Sequence, residues 1–158
     1  MAVFVVQKHA ATSLHYDFRL EVDGVMRSWA VPKGPSFDPG ARRLAMPVED
    51  HPMSWNEFEG VIGAGYGAGT VIRWDEGSYR NTSDKPMADA LDSGYARFVL
   101  EGHKLRGEWS LRRMSEDRGW LLSKRRDEFA DPSRDVIAEE PESVLSGRTI
   151  ELLQEGKR

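Results

Sequence analysis

Residues 14–31, LHYDFRLEVDGVMRSWAV, constrain the fold more than any other segment of the chain. Apolar and polar side chains alternate from Leu14 to Val22. Asp23-Gly24 interrupts the run, and VMRSWAV follows. Period-2 alternation belongs to a strand, whose side chains point to opposite faces in turn. An Asp-Gly pair between two such runs favours a type I′ hairpin turn, because both central residues must take positive φ. A two-residue turn also sets the register. Val22 faces Val25, Glu21 faces Met26, Arg19 faces Ser28, Phe18 faces Trp29, Asp17 faces Ala30 and Tyr16 faces Val31. Tyr16, Phe18, Leu20 and Val22 form the apolar face; His15, Asp17, Arg19 and Glu21 form the other. Asp17 and Arg19 have the smallest cross-strand partners, Ala30 and Ser28. This predicts a hollow in which a ligand can approach a carboxylate and a guanidinium.

The rest of the chain is also strand-rich. VFVVQ (3–7), RRLAMPVED (42–50) and GWLLSKRR (119–126) read as extended segments, with Pro47 favouring an edge or a strand end. GTVIRWDEGSYR (69–80) reads as a strand, a turn at Asp75-Glu76-Gly77 and a short return, and ARFVLEGHKLRGEWSLRRM (96–114) as a second hairpin. Helix signals are few. One helix is expected after Asp84 as cap, with Pro86 in its first turn and Gly94 past its end, and Thr149 caps a short TIELLQE helix. Residues 127–158 are acidic, and 127–147 are expected to wrap irregularly around the rest. The expectation is one domain over 1–158, mainly β, with an antiparallel sheet curled into a barrel or a sandwich. GAGYGAG (63–69) lacks the Lys-Ser/Thr ending of a phosphate-binding loop and precedes a strand, so it reads as a close backbone approach.

Composition narrows the chemistry. The absence of cysteine rules out disulfides and thiolate ligands, so any metal sits on His, Asp or Glu. No apolar run approaches the ~18 residues of a membrane span, and no signal peptide is visible, so a cytoplasmic location is expected. The net charge of −4 argues against a generic nucleic-acid binder. The distribution is uneven, however. Residues 97–126 carry nine cations and four anions, and residues 127–158 carry four and nine. The basic block ends in Lys124-Arg125-Arg126; it either tracks a phosphate backbone or is a solvated face.

HAATSLHYDFRLE (9–21) holds two of the four histidines. On one strand face, His15 and Asp17 lie roughly 6–7 Å apart, close enough to share an ion. Imidazole plus carboxylate suits Mn, Zn or Fe. A third ligand is needed, and a short loop can fold His9 back to supply it. The competing reading is a plain polar strand face. Arg19 offers an anion-binding fork beside the pair. His51, in the acidic VEDHP, is either an imidazolium donor to phosphate or a surface turn histidine. Lys33, in a proline-stiffened loop, and Arg42-Arg43 are candidate phosphate contacts or solvated cations. Trp55, Phe58 and Ile62 read as core.

QKHAATSLHYDFRLEVDGVMRSWAVPKGPS, RRLAMPVEDHPMSWNEFEG and YGAGTVIRWDEGSY together resemble the 3′-phosphoesterase module of bacterial DNA ligase D. The later GEWSLRRM, GWLLSKRRDEFA and SVLSGRT extend the likeness over nearly the whole chain. The resemblance implies a compact antiparallel β-barrel with a few short peripheral helices. It implies a hydrolase of DNA primer–template 3′ ends that removes a terminal ribonucleoside and then converts the 3′-phosphate to a 3′-hydroxyl. It places manganese, or another divalent transition metal, on His9, His15 and Asp17. Arg19 and His51 become catalytic, with Lys33, Arg43, Glu49 and Trp55 toward the phosphate and substrate. Ku and ligase or polymerase modules become expected partners in end joining. Trp55 stands where the family has a tyrosine, and VIGAG looks shortened. The first of these departures points to a weaker nuclease step. Two other readings are a catalytically weak DNA-end-binding scaffold of the same fold and a small-molecule metal enzyme on a barrel.

Overall fold

The structure, a computed structural model, describes residues 2–52, 60–62, 69–115 and 118–155, apart from the side chains of 51–52, 60–62 and 153–155. Nine strands and three short helices follow in chain order: β1 (Val3–Ala10), β2 (Leu14–Val22), β3 (Val25–Val31), β4 (Arg43–Pro52), β5 (Gly60–Ile62), β6 (Gly69–Asn81), α1 (Met87–Asp92), β7 (Tyr95–Gly102), β8 (Arg106–Arg113), β9 (Trp120–Lys124), α2 (Val136–Glu139) and α3 (Ile150–Glu155). All pairings are antiparallel. The order β1-β2-β3-β4-β9-β8-β7-β6 closes on itself through β1–β6 into an eight-stranded barrel, and β5 adds to the start of β6. Closure excludes the sandwich.

The β2–β3 register is the one the Asp-Gly turn dictates, from Val22↔Val25 to Tyr16↔Val31. Asp23 and Gly24 both take positive φ, 50° and 85°. The apolar faces meet inside the barrel. Phe4, Phe18, Trp29, Trp74, Phe98, Trp109 and Leu111 fill it, and Phe37, Leu91, Leu105 and Val136 plug its ends. Tyr16 meets Trp74, and Phe37 meets Trp109, edge to face with centroids 5.5 Å apart in each pair, an arrangement that suits the ring quadrupoles. Pro47 pairs with Trp29 on β3, beyond the point where β4 stops pairing with β9 at Ala45, so its missing donor faces no neighbour in the described ladder.

Three expectations need correction. β1 runs through Ala10 rather than stopping at Gln7, which brings His9 into the sheet. Asp75-Glu76-Gly77 is not a turn, because β6 continues through it as one 13-residue strand with a bulge at Trp74 opposite Val6/Gln7. Asp75 nonetheless performs turn chemistry for a different loop, accepting the backbone N–H groups of His103, Lys104 and Leu105 between β7 and β8. α1 begins at Met87 with Pro86 at its N-cap, while Asp84 lies outside it and faces Arg97 at 3.7 Å.

Other expectations hold. Gly94 follows α1 at φ 91°, and Thr149 Oγ1 accepts from Leu152 N at the start of α3. Residues 127–147 are irregular apart from the single turn of α2. Within GAGYGAG only Gly69 is described. A side chain there would place Cβ 2.0 Å from the Ala10 carbonyl, so the close approach is real at that residue.

Candidate metal centre

The first hairpin, β1–β2, builds the site. Three residues, 11–13, connect the strands, and the ladder sets His9 opposite His15 and Gln7 opposite Asp17. Directly paired residues share a face, so both imidazoles and the carboxylate project from the outer surface of the barrel while Tyr16 and Phe18 point into the core. The imidazole rings lie 4.9 Å apart. His15 Nε2 is 3.2 Å from Asp17 Oδ1, and His9 Nδ1 is 3.8 Å from Asp17 Oδ2. One ligand atom from each of the three residues falls within 4.8 Å of the others. The Ser13 carbonyl sits 3.3 Å from His15 Nδ1. A proton held there leaves Nε2 as the lone-pair donor, the usual arrangement behind a metal-ligating histidine.

Electrostatics keep the carboxylate ionised. Burial alone would raise the Asp17 pKa, but hydrogen bonds with His15 and His9, with the Arg19 charge, hold it well below the usual carboxylate range. The hydrogen bond with Asp17 raises the His15 pKa, against the opposing effect of burial. Two imidazoles and one anionic oxygen at the ends of adjacent strands form a donor set that fits a divalent transition metal.

Arg19 lies one same-face position beyond Asp17, its Nη2 3.6 Å from Asp17 Oδ2. It is 5% exposed and fixed on two further sides: Nε donates to Gln7 Oε1 and Nη1 to Ser28 Oγ, each at 2.8 Å. Ser28 Oγ in turn donates to the Met26 carbonyl at 3.0 Å. The hollow expected beside Arg19 is therefore partly filled by its own support. Gln7 was missed by sequence reasoning, because its role depends on β1 reaching past it. Arg73 was missed as well. It sits across from Gln7 on β6, 5% exposed and paired with Glu76.

The remaining candidates fall on two sides of the triad. Lys33 is exposed two residues after β3, and Arg43 opens β4, both at the barrel end that carries His9 and His15. Arg43 Nε is buried without a hydrogen-bond partner among the described residues. The His51 backbone pairs with Met26, in the row of Glu21, one same-face row beyond Arg19 and two strands across. Glu49 is exposed on β4. The His51 side chain, Trp55, Phe58 and the Ile62 side chain lie outside the described residues.

Comparison with known proteins identifies the chain's relatives. The family model for the DNA ligase D 3′-phosphoesterase domain matches residues 7–113. The chain belongs to that family. As a DNA ligase D-type phosphoesterase domain it is 49% identical, over 93% of its length, to the multifunctional non-homologous end joining protein LigD of Pseudomonas aeruginosa, covering 18% of that protein. It is 44% identical over 75% of its length to the LigD DNA repair protein of Mycobacterium tuberculosis, covering 15% of it. It is 40% identical over 79% of its length to LigD of Mycolicibacterium smegmatis, covering 17%. The chain thus spans less than a fifth of the length of these relatives. Among the described residues, no helix is long and apolar enough to cross a membrane.

Proposed function

We propose that this domain is a metal-dependent phosphoesterase of DNA 3′ ends, which removes a terminal ribonucleoside and hydrolyses the resulting 3′-phosphate to a 3′-hydroxyl. The observation that carries the reading is the convergence of His9, His15 and Asp17 within 4.8 Å, beside an arginine locked by Gln7 and Ser28. His9, His15 and Asp17 would hold the ion, and manganese suits their mixed nitrogen and oxygen donors. A divalent ion supplies Lewis acidity and neutralises charge on the phosphoryl group.

The protein residues do the rest. Arg19, already oriented, offers its guanidinium to the non-bridging oxygens without reorganising, which favours the transition state over the ground state. His51 as an imidazolium would neutralise the same oxygens and protonate the leaving group. In the nuclease step water attacks the phosphodiester phosphorus and the bond to the terminal nucleoside 5′-oxygen breaks. That oxygen takes a proton, and a 3′-phosphate remains on the shortened strand. In the phosphatase step a second water attacks, the bond to the 3′-oxygen breaks, and inorganic phosphate and a 3′-hydroxyl result. Lys33 and Arg43 would hold the additional charge of the monoester. Glu49 and Trp55 complete the proposed substrate contacts, and the 2′-hydroxyl gives the site a feature that DNA lacks.

The names of the relatives support a role in non-homologous end joining. Ku and ligase or polymerase modules are the proposed partners, and the cytoplasm is the proposed location. A catalytically weak end-binding scaffold is the second reading, favoured by Trp55 in the place of the family's tyrosine.

The test is a gel assay on primer–templates ending in one ribonucleotide or in a 3′-phosphate, with manganese, with EDTA, and with His15→Ala. Manganese-dependent conversion of both to a 3′-hydroxyl is expected. Conversion of the phosphate alone assigns the nuclease deficit to Trp55, and conversion of neither by a protein that binds metal and DNA ends establishes the scaffold.

A further inference from the structure

The basic block of residues 97–126 is not used by the metal centre, and the fold gives it a definite place. Tyr95, Arg112 and Leu121 form one row across β7, β8 and β9; Arg97, Ser110 and Ser123 form the next; Val99 and Glu108 begin a third, beyond which Arg125 follows the end of β9. The serines make a low floor between two tall rows. With Pro39, Arg42, Lys124 and Arg126, these strands line an open groove of about 530 Å³ on the outer face of the barrel.

Charge in the groove is unbalanced. Its one acidic lining residue, Glu108, is engaged by Thr82 Oγ1 at 2.7 Å and faces Arg125 at 3.7 Å. Lys124 is spent on Asp127 and two backbone carbonyls. Arg125 Nη1 donates to the Tyr95 hydroxyl, and Arg112 lies over the same ring, 4.2 Å from its centroid. Arg42, Arg112 and Arg126 are exposed and have no carboxylate partner among the described residues. The ion pairs of the acidic wrap lie elsewhere among the described residues: Glu139 and Glu140 face Arg134, and Asp127 pairs with Lys124. Three like charges converging on a hydroxyl-floored trough, in a chain of net charge −4, complement a polyanion.

We propose that this groove is a second binding site, which takes the phosphodiester backbone of a nucleic acid away from the reacting 3′ end. In the ring order β2 and β8 are four strands apart in either direction, so the groove's middle strand stands opposite the strand that carries His15 and Asp17, and Arg42 marks the groove's rim on the side of Arg43. Four spacings of ~4.8 Å put about 19 Å of arc between those two strands, while two spacings separate β1 from β7 at the nearer edges. The anion site stands on the groove's own charge; its assignment to nucleic acid rests on the phosphoesterase reading above.

The experiment measures binding of a fluorescent blunt duplex with 3′-hydroxyl ends, which offers nothing to cleave, across a salt series. It compares the intact protein with Arg112→Ala/Arg126→Ala and with Arg112→Lys/Arg126→Lys. The alanine pair is expected to bind roughly tenfold more weakly at low salt and to show a log–log salt slope shallower by about 2, with the lysine pair restoring the slope. Unaltered affinity and slope in a variant that melts normally would overturn the proposal. Arginine-dependent binding of polyglutamate without arginine-dependent duplex binding would also overturn it, and would point to an acidic protein. Conversion of a 3′-phosphate primer is measured in parallel on the same intact protein. Lost conversion with arginine-dependent binding retained sinks only the phosphoesterase reading, and normal conversion with arginine-independent binding sinks only the groove.

Discussion

Two tyrosines on adjoining parts of the same core make opposite predictions. The Tyr79 hydroxyl donates to the Glu21 carbonyl, whereas the Tyr16 hydroxyl is buried without a hydrogen-bond partner among the described residues. Burial pushes both phenols up to about 12, so neither ionises under ordinary conditions. Tyr79→Phe should cost about 1 kcal/mol and Tyr16→Phe should be neutral or stabilising, because only the first change strands an acceptor; urea denaturation of both variants checks the ordering. At the site, Gln7 is a positioning residue. Gln7→Ala leaves the three ligands in place but releases one side of Arg19. Turnover should fall by about tenfold to a hundredfold with KM nearly unchanged, if Arg19 acts mainly on the transition state. Manganese affinity measured by titration calorimetry should not move, and a parallel loss of metal binding would show that Gln7 supports the ligands instead.

Among the elements, β6 carries the main lesson about sequence reading. The β2–β3 hairpin was legible to the residue, since a two-residue turn leaves no freedom in register. β6 was not, because Asp75 looks like a turn residue of its own segment and instead gathers three backbone donors from the loop after β7. His9 was legible as a candidate third ligand that a short loop could fold back, but its place in the sheet opposite His15 was not, since nothing local shows that β1 continues past Gln7. Asp75→Ala should destabilise the protein by about 3 kcal/mol or more by leaving those buried donors unpaired, with Asp75→Asn intermediate in the same denaturation series. Next to it, Lys104 Nζ donates to the Glu140 and Glu142 carbonyls and lies over Trp74, pinning the wrap to the barrel. Burial lowers its pKa from 10.5 to about 8. The unfolded chain therefore holds more protons between those two values, and the stability Lys104 contributes is present above 10.5 and lost as pH falls through about 8. The stability difference between the protein and Lys104→Met should accordingly shift in favour of lysine as pH rises from 8 to 10; a flat or declining difference would contradict the assignment.

For the whole molecule, the choice of barrel over sandwich was legible only through the family resemblance, because alternation says which face is apolar but not which distant strand completes the ring. Closure depends on β1 meeting β6, with Val3 opposite Ser78 and Ala10 opposite Thr70. It passes through a point where Gly69 leaves no room beside the Ala10 carbonyl. Gly69→Val should open that seam and lower the melting temperature by several degrees, about 4 °C for each 1 kcal/mol lost. Amide exchange should report the loosening first in β1 and β6, while β7–β9 stay protected.

The barrel also separates two timescales. All three proposed metal ligands lie within nine consecutive residues, 9 to 17, on a hairpin whose connection is three residues long. Ring closure must instead find partners some seventy positions apart. Local contacts form early and distant ones late, so the chelating geometry can arise on the nascent chain before the barrel exists. An ion captured at that stage would bias the hairpin toward its native register, and the cofactor would then act as a template for folding before it takes part in any chemistry.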